Sequence, residues 1–229
     1  MHSIMETSKP ILQKAVQLDT EGDPEGAIKH YAEGVSILMK CLSCDDASPS
    51  QLVSVRETIG KYLSRAETLK NRMPVVLVER IQIKSDSKGY GYDKIFSKCF
   101  DNSVTEVFVQ DGYIRLHHQI VNFVKFCELC VMKATNLKKI ELRTQKGDGS
   151  NEVPLMELKQ SFEEKNVIFS FYYDENLHDR EIRFNNGWIV KIGRGLDYFK
   201  KSNRFALGSY ELNLRKCLET TVDLFQVKK

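Results

Sequence analysis

The sequence predicts an α plus α/β protein, in which an antiparallel three-helix bundle is followed by an α/β domain. Two helix-start motifs and apolar stripes of helical period dominate the first third of the chain, and the short loops between the helices make neighbours antiparallel. Beyond Pro74, strand-like and helix-like segments alternate. We therefore place the bundle at residues 1–73, a linker or initial strand at residues 74–92, and the α/β domain at residues 93–229.

Each helix of the predicted bundle has its own signal. The first extends from about Ser8 to Thr20. The second begins at Asp23-Pro24 and the third at Ser48-Pro49, because a capping side chain followed by proline is typical of a helix start. The apolar stripe of the second helix is Ala27, Tyr31, Val35, Leu38 and Leu42, and that of the third is Leu52, Val55, Ile59, Leu63, Ala66 and Leu69.

The rest of the chain alternates between strands and helices. Segments with period-two patterning or short apolar runs are followed by amphipathic segments of helical period. This order favours a largely parallel sheet covered by helices. The predicted strands are 75–83, 104–109, 139–144, 167–173 and 220–227, and the predicted helices are 93–100, 118–132 and 152–165.

A β-hairpin is predicted within residues 178–192. The turn sequence at 185–187, Asn-Asn-Gly, separates two alternating runs and contains residues that tolerate positive φ. A three-residue loop keeps one face of the hairpin apolar and sets Glu181 opposite Lys191, whereas a two-residue loop mixes the two faces. We therefore predict the three-residue loop, with Gly187 in the left-handed region.

The positive charge of the chain is concentrated in one segment. The formal net charge is +3 over 229 residues, and residues 178–204 alone contain seven basic and three acidic residues. Such an excess predicts an anionic partner, namely lipid headgroups, phosphate esters or nucleic acid. Nucleic acid is not expected, because the sequence pI of about 8.4 is modest and no segment resembles a nucleic-acid-binding module.

The same segment resembles the signature of the phospholipase D family, in which a histidine and a lysine two residues later precede an aspartate and a glycine turn. Here His178 and Arg180 occupy the first two positions, Asn185 occupies the third, and Gly193 lies in the turn. In that family the histidine is the nucleophile and two copies of the signature face each other, whereas this chain contains one. The resemblance therefore implies a phosphate-binding cradle without catalysis. The alternative is a phosphodiesterase or phospholipase that uses His178.

The predicted site for anionic lipid or phosphate extends over the whole segment. Glycines on both sides of Arg194 let backbone N–H groups approach an anion closely. Tyr198 and Phe199 lie next to three cations, a combination that suits contact with a lipid interface. The site residues are His178, Arg180, Arg183, Lys191, Arg194, Lys200, Lys201 and Arg204.

The N-terminal bundle resembles the MIT family, most clearly at residues 27–34 (AIKHYAEG) and 62–70 (YLSRAETLK). That resemblance implies binding of C-terminal helical tails of ESCRT-III subunits in the groove between the second and third helices. Leu63 and Glu67 match the family's contact positions, with Ile59 in the same groove. An apolar groove beside a carboxylate suits a helix that carries leucines and an arginine. The alternative is that Leu63 belongs to the bundle core and Glu67 is an ordinary solvated charge.

The whole chain resembles the family that joins an MIT module to a single phospholipase D-like domain. This resemblance implies a role in cytokinetic abscission, with recruitment by ESCRT-III tails, binding of acidic or phosphoinositide-rich membranes, and homodimerisation through the C-terminal domain. It further implies a cytoplasmic protein that is peripheral on endosomal and midbody membranes.

No cofactor, catalytic residue or metal site is expected. Cys41-x-x-Cys44 and Cys127-x-x-Cys130 have zinc-ligand spacing, but each pair lies in or at the end of a predicted helix, which favours buried thiols. No apolar run approaches the roughly 18 residues that a membrane-spanning helix requires. The N-terminus lacks the layout of a signal peptide. We therefore expect a cytoplasmic protein with reduced cysteines.

Overall fold

The computed structural model describes residues 2–43 and 48–228. The chain divides in sequence between Pro74 and Val75 into two compact units. The first unit is helical and the second contains a sheet with helices, so the predicted combination of a three-helix bundle and an α/β domain is confirmed.

The bundle consists of helices α1 (His2–Glu21), α2 (Pro24–Cys41) and α3 (Pro49–Arg72). The Asp23 side chain caps α2 by accepting a hydrogen bond of 2.9 Å from the Gly26 N–H. Ser48 and Gln51 form a reciprocal capping box at the start of α3. α1 begins six residues before the predicted Ser8, because the helix continues through Pro10, which lacks only one intrahelical donor.

The core of the bundle uses most of the predicted stripes. Ala27, Tyr31, Val35 and Leu38 of α2 are buried, as are Val55, Ile59 and Leu69 of α3. Leu63 departs from this pattern, since 40% of its surface is exposed. The α3 stripe is therefore wider than the face that the bundle covers.

The second unit is built on one seven-stranded sheet with the order β1-β7-β6-β5-β2-β3-β4. Only the β2–β3 and β3–β4 pairs are parallel, and the other four pairs are antiparallel. The prediction of a largely parallel sheet is therefore wrong. Helical crossovers follow only β2 and β3, whereas tight or looping connections return β5, β6 and β7 in alternating directions. The strands are Val75–Ile83, Glu106–Asp111, Lys139–Thr144, Ile168–Tyr173, Arg180–Phe184, Trp188–Ile192 and Thr220–Val227, numbered β1 to β7.

Helices cover one face of this sheet. They are α4 (Tyr92–Ile95), α5 (His117–Lys133) and α6 (Glu152–Glu163), with short 3-10 turns at Ser97–Cys99 and Leu212–Leu214. Alternate residues of the central strands share one apolar core with α5. Because side chains alternate across a strand, the intervening residues point to the opposite face. The shared core includes Val107, Val109, Ile182 and Val190 from strands and Phe123, Phe126 and Cys127 from α5.

The β5–β6 hairpin has the predicted three-residue register. Ile182 lies opposite Val190 and Glu181 opposite Lys191. The Gly187 N–H donates a hydrogen bond of 3.0 Å to the Phe184 carbonyl, and Gly187 has φ +96°. The left-handed glycine therefore sets the register, as the sequence indicates.

Three of the four cysteines of the two zinc-like pairs lie within helices. Cys127 and Cys130 are buried in α5 and Cys41 is buried at the end of α2, while Cys44 lies outside the described residues. Among residues 2–43 and 48–228 no group of three or more histidine, cysteine, aspartate or glutamate side chains is arranged to hold a metal ion. In the same ranges, no helix is long and apolar enough to cross a bilayer.

Candidate functional site

The first candidate surface is one flank of α3. Arg65 marks the side of α3 that faces α1, because its guanidinium donates two hydrogen bonds of 2.7 Å to the Asp19 carboxylate. Residues two positions apart on an α-helix point about 160° apart. Leu63 therefore lies on the opposite flank, over the groove between α3 and α2, with 40% of its surface exposed.

The other two predicted groove residues differ in their surroundings. Glu67 is exposed one helical turn after Leu63 and adds a carboxylate to the same flank. Ile59 is only 7% exposed and belongs to the bundle core. The prediction that Ile59 lines the groove therefore needs correction. Ile59 packs in the bundle core, and Leu63 provides the exposed apolar surface of this flank.

The second candidate surface is the open face of the hairpin. Glu181, Arg183 and Lys191 point away from the α5 face, because Ile182 and Val190 between them are in the core. The Arg183 Nε atom lies 2.5 Å from one carboxylate oxygen of Glu181, and the Lys191 Nζ atom lies 3.4 Å from the other. One buried carboxylate therefore offsets one of the two positive charges predicted here.

The third candidate surface is built around Arg180. Its guanidinium carbon lies 3.9 Å from the centre of the Tyr113 ring, and its Nη1 donates a hydrogen bond of 2.8 Å to the Gly193 carbonyl. Its Nε lies 4.0 Å from the Asp111 carboxylate at the end of β2. Stacking and hydrogen bonding hold the guanidinium plane in one orientation, with further N–H donors available for an oxyanion.

The glycine turn lies against a carboxylate of the chain itself, Asp111. Gly195 has φ +59°, and a Cβ added there would lie 1.8 Å from the Asp111 Oδ2 atom. The N–H groups of Tyr113 and Leu196 donate to the same carboxylate, at 3.0 and 3.4 Å. The turn around Arg194 therefore encloses a buried aspartate rather than an empty anion site.

An open cleft of about 440 Å³ lies at this edge of the sheet. It brings together His178, Arg180 and Lys191 with the aspartates Asp179 and Asp223. His178 is exposed, and within the described residues it makes no hydrogen bond to a carboxylate or to another histidine. The cleft can hold an anionic group against Arg180.

The remaining predicted cations lie near the turn and the loop that follows it. Arg194 Nε donates to the Glu219 carbonyl at 3.0 Å, and Lys200 Nζ lies 2.7 Å from the Asp86 carboxylate. Hydrogen bonds from Lys200 and then Lys216 lower the pKa of Asp86 to about 2. Lys201 and Arg204 are exposed and form no ion pair with any carboxylate in the part of the chain that the structure describes.

The eight predicted lipid or phosphate residues therefore do not form one patch. Arg183 and Lys191 lie on the open sheet face, whereas the loop after Lys200 is tied to α5 by Lys125, whose Nζ lies 3.3 Å from the Ser209 carbonyl. The prediction that Tyr198 and Phe199 contact a lipid interface is wrong, because these side chains are 0% and 5% exposed and belong to the core.

Sequence reasoning missed Asp111, Tyr113 and Lys125. For Asp111 a signal existed, because it follows Val107 and Val109 at alternate positions of one strand, which places it on the buried face. Tyr113 and Lys125 act through contacts that no local pattern reveals.

The comparisons with known proteins agree with both units. The family described as a phospholipase D-like domain at the C-terminus of MIT matches residues 89–226, and the MIT (microtubule interacting and transport) domain matches residues 5–71. The mouse (Mus musculus) protein named MIT domain-containing protein 1 is 40% identical over an alignment of 228 positions that covers 95% of this chain and 91% of the relative. These matches together extend over nearly the whole sequence.

Stability should depend on pH through Asp111. Burial raises the pKa of the Asp111 carboxyl from 3.8 to about 6, against the opposing effects of the Tyr113 N–H and Arg180. Because the folded state then binds more protons than the unfolded state between about pH 4 and pH 6, the free energy of unfolding should fall by up to about 3 kcal/mol as pH rises through that range. Urea unfolding at a series of pH values measures this fall.

Two variants distinguish the contribution of Asp111 to this pH dependence from the contributions of other carboxyl groups. Asp111→Asn keeps an acceptor oxygen but cannot ionise, so the fall should disappear. Asp223→Asn is the control. Because Arg80 lowers the pKa of Asp223, ionisation of that group makes the free energy of unfolding rise with pH rather than fall. An unchanged fall in Asp111→Asn would contradict the assignment.

Proposed function

The chain belongs to the family that joins an N-terminal MIT domain to a C-terminal phospholipase D-like domain, and from that premise we propose that it is a non-catalytic adaptor. Its MIT domain binds C-terminal helical tails of ESCRT-III subunits. Its phospholipase D-like domain binds acidic, phosphoinositide-containing membranes and forms a homodimer. The adaptor acts in cytokinetic abscission, as a cytoplasmic protein peripheral on endosomal and midbody membranes.

The observation that supports tail binding most directly is the exposure of Leu63 over the groove between α3 and α2. A leucine at the rim of an interhelical groove gains free energy when the apolar face of a partner helix covers it. Glu67, one turn away, offers a carboxylate to a basic residue of that helix. The bundle fold does not require either side chain in this place, because the core is complete without them.

Membrane binding is supported by the cations that the fold leaves exposed. Lys201 and Arg204 make no ion pair with a carboxylate in residues 2–43 or 48–228, and each cation contributes about 1 kcal/mol near an anionic surface. Arg180, held by Tyr113 and Gly193, can contact a single phosphate in the cleft. Two modest sites on one chain reinforce each other through effective concentration, and a dimer increases this further.

The second candidate function is a phosphodiesterase or phospholipase that uses His178. The observation that favours it is the cleft, in which His178 and Arg180 lie together at the edge of the sheet. The purified full chain, assayed against phosphodiester and phospholipid substrates beside His178→Ala, distinguishes the two functions. We expect no turnover by either protein. Turnover by the natural chain that His178→Ala abolishes would establish the enzyme instead.

Leu63→Asp should weaken binding of an ESCRT-III C-terminal tail peptide by at least about thirtyfold, because a charge then occupies the apolar contact. The melting temperature should change little, since Leu63 is already 40% exposed. Fluorescence anisotropy with a labelled peptide measures the affinity. Val53→Asp is the matched control, because Val53 is 51% exposed on the same helix and lies ten residues, about 15 Å, before Leu63. Equal losses in both variants, or a parallel loss of vesicle binding, would count against an independent tail site.

Combined Lys201→Glu and Arg204→Glu should weaken binding to vesicles that contain acidic phospholipid by about tenfold or more and flatten its dependence on salt. Arg183→Gln is the control on the open sheet face, because Arg183 already pairs with the Glu181 carboxylate there. Vesicle co-sedimentation at several salt concentrations measures both variants. If Arg183→Gln loses as much binding as the double variant, the membrane-facing cations have been assigned to the wrong surface.

A further inference from the structure

Residues 203–210, here called the apolar loop, present large apolar side chains to solvent. Phe205 is 94% exposed, Leu207 is 88% exposed and Tyr210 is 79% exposed. Single exposed apolar residues are ordinary on protein surfaces, but three on one short loop form a feature that requires an explanation. None of these three residues belongs to the predicted lipid or phosphate site.

The base of the apolar loop is held by hydrogen bonds to its backbone. Arg215 donates from Nε to the Gly208 carbonyl at 2.5 Å and from Nη2 to the Ser209 carbonyl. Lys125 of α5 donates to the carbonyls of Ser209 and Tyr210, each at 3.3 Å. The Ser209 N–H closes the turn by donating to the Ala206 carbonyl at 3.1 Å. These bonds hold the backbone at the base of the loop, while its large apolar side chains stay exposed.

Positive charge surrounds the apolar loop. Residues 199–216 contain five basic residues and one acidic residue, Glu211. Lys200 and Lys216 pair with Asp86, and Arg215 binds the loop backbone. Lys201 and Arg204 lie immediately before the exposed tip, and the Arg204 guanidinium carbon lies 5.6 Å from the centre of the Phe205 ring. An apolar tip beside two cations that form no ion pair in the described residues matches the two layers of an anionic bilayer surface, in which headgroups lie outside and acyl chains inside.

We infer that the apolar loop inserts into the interface of an anionic lipid bilayer. Phe205 and Leu207 enter the region where headgroups meet acyl chains, Tyr210 lies at headgroup level, and Lys201 and Arg204 contact the phosphates. This inference rests on the membrane binding proposed above and adds the element that anchors the protein there. Insertion supplies an affinity that salt does not screen, whereas the cations supply attraction that salt weakens.

The shape of the apolar loop favours a bilayer over a protein partner. A side chain that is 94% exposed projects from the surface, so a rigid partner needs a matching cavity to cover it. A stable protein interface also buries about 1,000 Å² or more, which a tip of two or three side chains cannot supply. A bilayer needs no matching cavity, because lipid rearranges around an inserted side chain.

The test uses the full chain and vesicles of phosphatidylcholine, with or without phosphatidylserine. The double variant Phe205→Ser with Leu207→Ser should bind phosphatidylserine vesicles about tenfold or more weakly at physiological salt, because it removes two inserted apolar side chains. Val153→Ser is the matched control, since Val153 is 69% exposed on α6 of the same domain. Both variants alter exposed side chains, and unchanged melting temperatures verify their folding.

A second measurement reports insertion directly. Phe205→Trp should show a blue-shifted emission on phosphatidylserine vesicles and quenching by brominated acyl chains, relative to the natural chain with its single tryptophan, Trp188. Vesicle binding without shift or quenching overturns insertion and leaves the proposed membrane binding standing. Failure of the natural chain to bind any acidic vesicle overturns both.

The third outcome concerns a second copy of the chain. If Phe205→Ser with Leu207→Ser converts a dimer into a monomer in light scattering while vesicle binding is unchanged, the apolar loop is a protein interface and the inference is wrong. An unchanged oligomeric state together with weakened, more salt-sensitive vesicle binding supports it.

Discussion

The arrangement of the C-terminal domain depends on one buried carboxylate, that of Asp111 at the end of β2. A buried charge is costly, and the N–H groups of Tyr113 and Leu196 together with Arg180 offset only part of the burial that raises the pKa of Asp111. Only glycine fits at position 195, because a Cβ would overlap the carboxylate. The same interaction orients Arg180 towards the cleft and fixes the direction in which the chain leaves β6. The cleft and the loop that follows therefore share one internal support.

Charge counted along the sequence overstates the charge that a partner meets. The contact between Glu181 and Lys191 follows from the predicted hairpin register, so part of this neutralisation was open to prediction. The contacts of Asp86 with Lys200 and of Asp111 with Arg180 join residues far apart in sequence and depend on the tertiary fold. This difference explains why one predicted basic patch becomes a paired sheet face, a cleft and an exposed loop.

The fold was predictable where local chemistry decides it. Cap and proline pairs located α2 and α3, and the turn glycine set the hairpin register. The direction of the strands was not predictable, because strand and helix alternation describes only β2 to β4, and the connection from β4 carries β5 across to the other side of β2. The exposure of aromatic side chains also could not be predicted from the sequence. Tyr198, Phe199 and Phe205 have similar apolar character, and only the packing of the fold places the first two in the core.

The two exposed apolar sites differ in a way that indicates what can cover each of them. Leu63 is 40% exposed beside a second helix, so a partner helix can contact it and the walls of the groove together. Phe205 is 94% exposed on a loop whose base is held by Arg215 and Lys125, so a rigid surface touches little of it. A groove favours a structured partner because the walls add contact area and specificity. A projecting tip favours a fluid phase, because only a medium that rearranges can surround it on all sides.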